Sequence, residues 1–132
     1  MRVINLTPHS VEVFSAEQFV NLFQPNPTTW VADGVAGQPK AEYTSEGLAR
    51  ISVLTEVIES ELPGETVTTS YGEATGIPED VQEGDVLIVS LPMKSMAVAS
   101  KHPLASQMVS PYKVVRSREN GSVVLGCMGF TY

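Results

Sequence analysis

GDVLIVSLPMKSMAVASK, residues Gly84 to Lys101, is the stretch around which the chain can be read. A Gly-Asp turn signal leads into Val86, Leu87, Ile88 and Val89, a run of branched apolar residues too short for a helix, which predicts a strand buried on both faces. Ser90 and Pro92 break the run. Met93, Met96, Ala97 and Val98 then fall at helical spacing until Pro103 stops them, which predicts a short helix starting at Ser90 or at Leu91-Pro92. A strand running into a helix start gathers free backbone N–H groups, and such a point favours anions. Lys94 and Lys101 lie close by in sequence. Ser90, Lys94 and Ser95 are therefore candidate ligands for an anion, with Lys101, His102 or Lys113 as the source of a second positive charge.

Composition narrows what such a site serves. A chain of 132 residues is long enough for one core. Its net charge of −7 argues against nucleic acid and against an anionic membrane surface. No apolar run approaches the ~18 residues that span a bilayer, and the N-terminus lacks a signal-peptide layout. A single cysteine, Cys127, excludes an internal disulfide and a thiolate metal cluster, and among Val123, Val124, Leu125 and Met128 it reads as a small buried hydrophobe. The expected setting is soluble, reducing and cytoplasmic, in a bacterium or a virus-infected cell, with no cofactor and no metal.

Outward from the central stretch, Met1 to Phe14 predicts a hairpin. Its strands are Val3, Ile4, Leu6 and Val11, Val13, Phe14, joined by a Thr7-Pro8-His9-Ser10 turn in which His9 is structural. Ser15 with Gln18 resembles a capping box, and Phe19, Val20, Leu22 and Phe23 form one apolar face, so a short helix is expected before Pro25. Pro25 to Gly47 is irregular, with Trp30 either anchoring the excursion or serving as a subunit contact or stacking surface. The alternation from Arg50 to Glu61 and the β-branched Thr66–Tyr71 run predict a second hairpin whose faces are both partly covered. Pro103 to Ser110 reads as loop, and Tyr112–Arg118 and Ser122–Phe130 as a third hairpin turning at Asn120-Gly121. The sum is a single α+β domain, mostly antiparallel, with a curved sheet or small partial barrel, two short helices and an insertion-like excursion at 15–49.

Charge is unevenly spread. Between Ile51 and Met93 stand nine carboxylates and no lysine or arginine, whereas from Lys94 onward there are five cations and one acid, Glu119. Two solvated faces explain this, as does a basic lobe that receives an anion, or a head-to-tail contact between subunits. A homo-oligomer is expected from the aromatic surface of Phe19–Trp30.

The segments VINLTPHSVEVF, TTSYGEATGIP and GDVLIVS, with the closing Asn-Gly hairpin, resemble a family of small bacterial and tailed-phage proteins that begin with an NLTPH segment. The resemblance covers roughly residues 2–14 and 50–129. It implies a compact cytoplasmic protein of phage or prophage type and brings no established activity, so no catalytic residue is carried over from it.

Nucleotide-fold glycine patterns, HExxH and GxSxG are all absent, which disfavours an enzyme, a nucleotide-directed hydrolase included. The expectation is capture without turnover of a small anionic ligand, a nucleotide or nucleotide-derived signal, as in sequestration of a host defence messenger. Tyr71 would stack on the base and Glu73 accept from ribose or an amine, both facing the start of the Met93 helix. The competing expectation is a structural or interaction protein, such as a virion accessory component or a host-protein modulator.

Overall fold

Four short strands make the central layer, and three of them run parallel. The computed structural model describes residues 1–132. Its strands are β1 (Val3–Asn5), β2 (Val11–Val13), β3 (Phe19–Val20), β4 (Phe23–Asn26), β5 (Thr29–Ala32), β6 (Gly34–Val35) and β7 (Ala41–Tyr43). They continue with β8 (Arg50–Ile58), β9 (Thr66–Thr75), β10 (Val86–Ile88), β11 (Met108–Tyr112), β12 (Val115–Ser117), β13 (Val124–Gly126) and β14 (Gly129–Thr131). One helix, α1 (Leu91–Ala99), lies between β10 and β11, and 3-10 turns occupy Ala16–Gln18 and Ala105–Gln107.

The central order is β1-β10-β11-β14, with β1, β10 and β11 parallel and β14 antiparallel to β11. Parallel neighbours need a crossover, and α1 supplies it between β10 and β11. Leu87, Ile88 and Val89 are fully buried, as a strand covered on both faces requires. Ser90 Oγ accepts from Met93 N–H at 3.2 Å and starts the helix, whose Met93 and Ala97, one turn apart, enter the core. The helix ends on Lys101, which adopts φ 56°. Lys101 N–H donates to Val98 O at 3.1 Å and His102 N–H to Ala97 O at 2.9 Å, the paired bonds of a Schellman ending. Ile4, Leu6, Leu87, Val89, Met93, Ala97 and Met108 form the main core with Ala49 and Ile51. Each large side chain buried there contributes about 1.5–3 kcal/mol.

A second layer, β13-β12-β5-β4, packs its inner face on Phe14 and Phe19, whose rings meet edge to face at 5.6 Å. β12 and β5 run parallel in the register Val115↔Trp30 and Ser117↔Ala32. The chain is thus α+β and sheet-rich, with no closed barrel and a single α-helix. Of its strand pairings, six are antiparallel, but the central β1-β10-β11 unit is parallel, which the expected mostly antiparallel sheet did not include.

Several local expectations are corrected. β1 and β2 do not pair with each other: β1 joins β10, and β2 joins β7. Alternation identifies a strand but not its partner, and the excursion supplies the partner here. The Ser15–Gln18 capping box forms, with Ser15 N–H donating to Gln18 Oε1 at 3.0 Å. It closes only a 3-10 turn, because Phe19 continues into β3 and pairs with Val35. The excursion is not irregular, since β4 and β5 form a hairpin across Pro27-Thr28 and β7 holds β2. Phe19 is buried and Trp30 half-buried, so the aromatic surface expected across Phe19–Trp30 shrinks largely to Phe23. Residues 108–112 are strand rather than loop: Met108, Val109 and Ser110 are all buried, and Ser110-Pro111 hides the alternation. The Asn120-Gly121 turn takes no positive φ; instead Ser122 N–H and Oγ donate to Asn120 Oδ1 at 3.1 and 2.6 Å. The β8–β9 hairpin forms as expected, but beyond Ile51 nothing covers either face.

Candidate functional site

In parallel sheets ligands collect beyond the carboxyl ends of the strands. At that end of β1, β10 and β11 lies an open groove of about 670 Å³, within the usual range for a small-molecule site. The residues that follow the three strands reach it: Thr7 and His9 after β1, Ser90 and Leu91 after β10, and Ser110 and Pro111 of β11. β2 contributes Val11 and Glu12, and the β12–β13 hairpin contributes Arg116, Ser122, Val124 and Leu125 across the opening.

The NLTPH segment builds one wall. Asn5 is fully buried at the end of β1. Its Nδ2 donates to the carbonyls of His9 and Tyr43, each at 2.8 Å, and its Oδ1 accepts from Thr7 N–H at 3.0 Å and Thr7 Oγ at 2.6 Å. The turn is therefore held by Asn5 and not by the His9 ring, whose nitrogens form no hydrogen bond in the chain. His9 is exposed at the rim of the groove, so its expected structural role passes to Asn5.

The groove's lining is mainly apolar, and a few polar groups set its chemistry. Ser110 is buried yet lines the groove, and none of the chain's side-chain hydrogen bonds uses its hydroxyl. The Arg116 guanidinium donates to Gly121 O at 3.2 Å, which anchors it and leaves its remaining donors free. Glu12 is the only carboxylate on the wall. Burial first, and Glu42 facing it on β7 second, push the Glu12 carboxyl above the usual range. On the far side of Arg116 a smaller hollow of about 330 Å³ is lined by Trp30 and Lys113.

Of the ligand-binding residues expected from sequence, Ser90 alone lines the groove. Lys94 is half-buried and donates Nζ to Ala105 O at 2.6 Å, tying α1 to the 3-10 turn before β11. The start of α1 is largely closed by its own residues: Pro92 has no N–H, Ser90 Oγ takes that of Met93, and Lys94 N–H goes to Ser90 O. Ser95 is exposed on the helix. Lys101 and His102 stand at the opposite end of α1, about 13 Å away at 1.5 Å per residue, where positive charge suits the dipole. Neither can complete an anion site at Ser90. Lys113 lies over the Trp30 and Tyr112 rings at 4.9 and 5.3 Å, with φ 49°. Tyr71 and Glu73 are exposed on the β8–β9 hairpin and do not line the groove. The ladder shifts between Ile51↔Ala74 and Val53↔Tyr71, placing an extra residue on β9, so the alternation that would align the two is interrupted between them.

Sequence reasoning missed Arg116, Ser110, Ser10 and Ser122, because they gather only once β11 is parallel to β10 and the β12–β13 hairpin closes across their ends. The one available signal was the NLTPH segment, whose asparagine needs several backbone partners when buried. No cluster of three or more His, Cys, Asp or Glu side chains is arranged to hold a metal ion, and no helix is long and apolar enough to cross a membrane. Comparison with protein-family models, with curated proteins and with solved structures gives no match to this chain.

Proposed function

We propose that the protein binds a small anionic molecule, of the nucleotide or nucleotide-derived class, in the groove at the carboxyl ends of β1, β10 and β11, and does so without chemical turnover. The supporting observation is that the Arg116 guanidinium, with donors to spare, and the Ser110 hydroxyl, which no other side chain uses, line the same groove. A phosphate between them would take charge-assisted bonds from Arg116 and a hydroxyl bond from Ser110. Val11, Leu91, Val124 and Leu125 offer the apolar wall that a base or ribose needs. Withdrawal of a signalling nucleotide is one task that such binding performs.

Calorimetry with inorganic phosphate and a panel of linear and cyclic nucleotides tests this reading. Wild type is expected to bind at least one member, and Arg116→Ala to bind it about ten-fold or more weakly, since a charge-assisted bond is worth roughly 1.5–3 kcal/mol. A wild type that binds no member of the panel removes the reading.

The alternative reading, a structural or interaction protein, is favoured by one observation, the uncovered β8–β9 hairpin.

A further inference from the structure

The β8–β9 hairpin is an arm. Only Ile51 at its base is buried; Val53, Val57, Val67 and Tyr71 are 50, 60, 53 and 37% exposed. The register sorts its residues into two faces. One carries Val53 beside Tyr71, Thr55 beside Thr69 and Val57 beside Val67, with no charge among them. Glu59 and Glu65 follow on the same side at the tip by alternation. The other face carries Leu54, Glu56 and Ile58 opposite Ser70, Thr68 and Thr66. An isolated two-stranded hairpin is marginal in water. Free edges are normally protected by lysine or proline, yet β8 and β9 contain no lysine and no proline. Such a ribbon is built to be covered.

The second layer offers a matching surface. Its outer face carries a row across four strands, Val124, Arg116, Val31 and Phe23, set by the pairings Arg116↔Val124, Arg116↔Val31 and Phe23↔Val31. Val124 and Phe23 are 51 and 40% exposed. Arg118, two residues beyond Arg116, lies over the Phe23 ring at 5.6 Å. The arm is apolar with an acidic tip, and the row is apolar with two arginines beside it, of which Arg118 stands 3.9 Å from Asp33, a loose exposed pair that leaves donors for a second carboxylate.

We propose that the arm of one copy seats its Val53/Val57/Val67/Tyr71 face on the Phe23–Val31 part of this row in a second copy, with Glu59 and Glu65 meeting Arg118, and that the second arm does the same in return. Area favours the reciprocal form. A ribbon of this length, ~30 Å by ~10 Å, offers roughly 300 Å² per face. A one-way contact hides about 600 Å² over both partners, the size of a packing contact, whereas reciprocal seating hides about 1,200 Å², where stable complexes begin. Two arms laid side by side in parallel would set their acidic tips together, which disfavours that pairing.

Sedimentation of the intact protein at micromolar concentration should give twice the 14.2 kDa chain mass. Val57→Lys and Val67→Lys should each give the single-chain mass with the melting temperature of the isolated chain unchanged, since neither side chain enters the core of its own copy. A mixture of Val57→Cys and Val31→Cys proteins should cross-link on mild oxidation faster than Val57→Cys alone, with the native Cys127 too buried to compete. A single-chain mass for wild type, leaving the arm free for some other protein, overturns the proposal. So does a Val57→Lys protein that keeps the double mass, or faster cross-linking of Val57→Cys with itself, which would pair arm with arm.

Discussion

Arg2 and Asp85 clamp the start of β1 to the start of β10: Arg2 N–H donates to Asp85 Oδ1 at 2.9 Å, and the Arg2 guanidinium reaches Oδ2 at 3.1 and 3.2 Å. Gln82 N–H adds a bond to Oδ2 at 2.9 Å, and Val86 N–H returns one to Arg2 O at 2.8 Å. The backbone bonds from Gln82 and Arg2, more than the guanidinium, hold the Asp85 carboxyl down at about 2. A carboxyl lowered in the folded state supports the fold above its unfolded value, near 3.8, and ceases to do so as pH falls toward 2. Wild type should therefore melt above Asp85→Asn at neutral pH, and the gap should narrow between pH 4 and pH 2. Thermal melts across that range check it; a gap independent of pH would refute the clamp as the cause.

Glu12 sits directly opposite Glu42 across β2 and β7, and its carboxyl shows the reverse sign, raised by burial first and by Glu42 second. A carboxyl raised in the folded state supports the fold while protonated, below its unfolded value near 4.5, and loses that support as pH rises through its folded value. Like charges opposite one another cost roughly 0.2–1 kcal/mol, and solvent screening puts this pair at the low end. Glu42→Gln should thus stabilise the protein at neutral pH by a few tenths of a kcal/mol, with the gain vanishing below pH 4. Denaturant melts at the two pH values read the difference.

Asn5 answers four polar partners from a fully buried position. Asn5→Ala removes the side-chain donor to the Tyr43 carbonyl and the acceptor of Thr7 N–H, while the His9 carbonyl keeps the Thr7 hydroxyl at 3.0 Å; thermal melts should show a loss of about 1–3 kcal/mol per group left buried. His9→Gln should leave the melting temperature near wild type, because the His9 ring holds nothing in the turn, and any effect on the anion binding proposed for the groove should then be seen without loss of stability. A His9→Gln protein that melts much lower would return His9 to a structural role.

Lys101 occupies the left-handed position of the α1 ending, where a side chain costs roughly 1–2 kcal/mol and glycine is free of the strain. Lys101→Gly should raise stability, by about 0.5–1 kcal/mol after the added entropy of the unfolded chain is counted. Equal or lower stability would show that the lysine serves some further purpose there.

Gly76 shows how closely the arm's base is built. It has φ 79°, and a Cβ there would run into the Leu48 carbonyl. Gly76→Ala combines backbone strain with a clash against backbone, so it should lower stability by more than the ~1 kcal/mol of a simple left-handed penalty. Far-UV and thermal measurements on that variant decide it.

Local chemistry was legible in the sequence wherever it depends on neighbours along the chain. The buried run at Val86–Val89, the Ser90 start of α1, the Ser15–Gln18 box and the β8–β9 alternation all follow from spacing and side-chain type, which act over a few residues. Partner choice was not legible, because Val3–Asn5 and Val11–Val13 have the same pattern whether they pair with each other or with strands far away. The groove depends on that choice. Arg116 and Ser110 are unremarkable residues until parallel pairing brings the ends of β1, β10 and β11 level and the β12–β13 hairpin crosses them. The cations marked from sequence, Lys94 and Lys101, went instead to a backbone carbonyl and to a helix end, since three-dimensional packing gave each a nearer use. Sequence by itself determined the β10–α1 unit, the β8–β9 ribbon and how charge is divided between halves of the chain; only the tertiary structure decided which strand ends meet, and made strands of Phe19–Val20, the excursion and Met108–Tyr112, because long-range pairing is selected by burial of the whole core and not by any single segment.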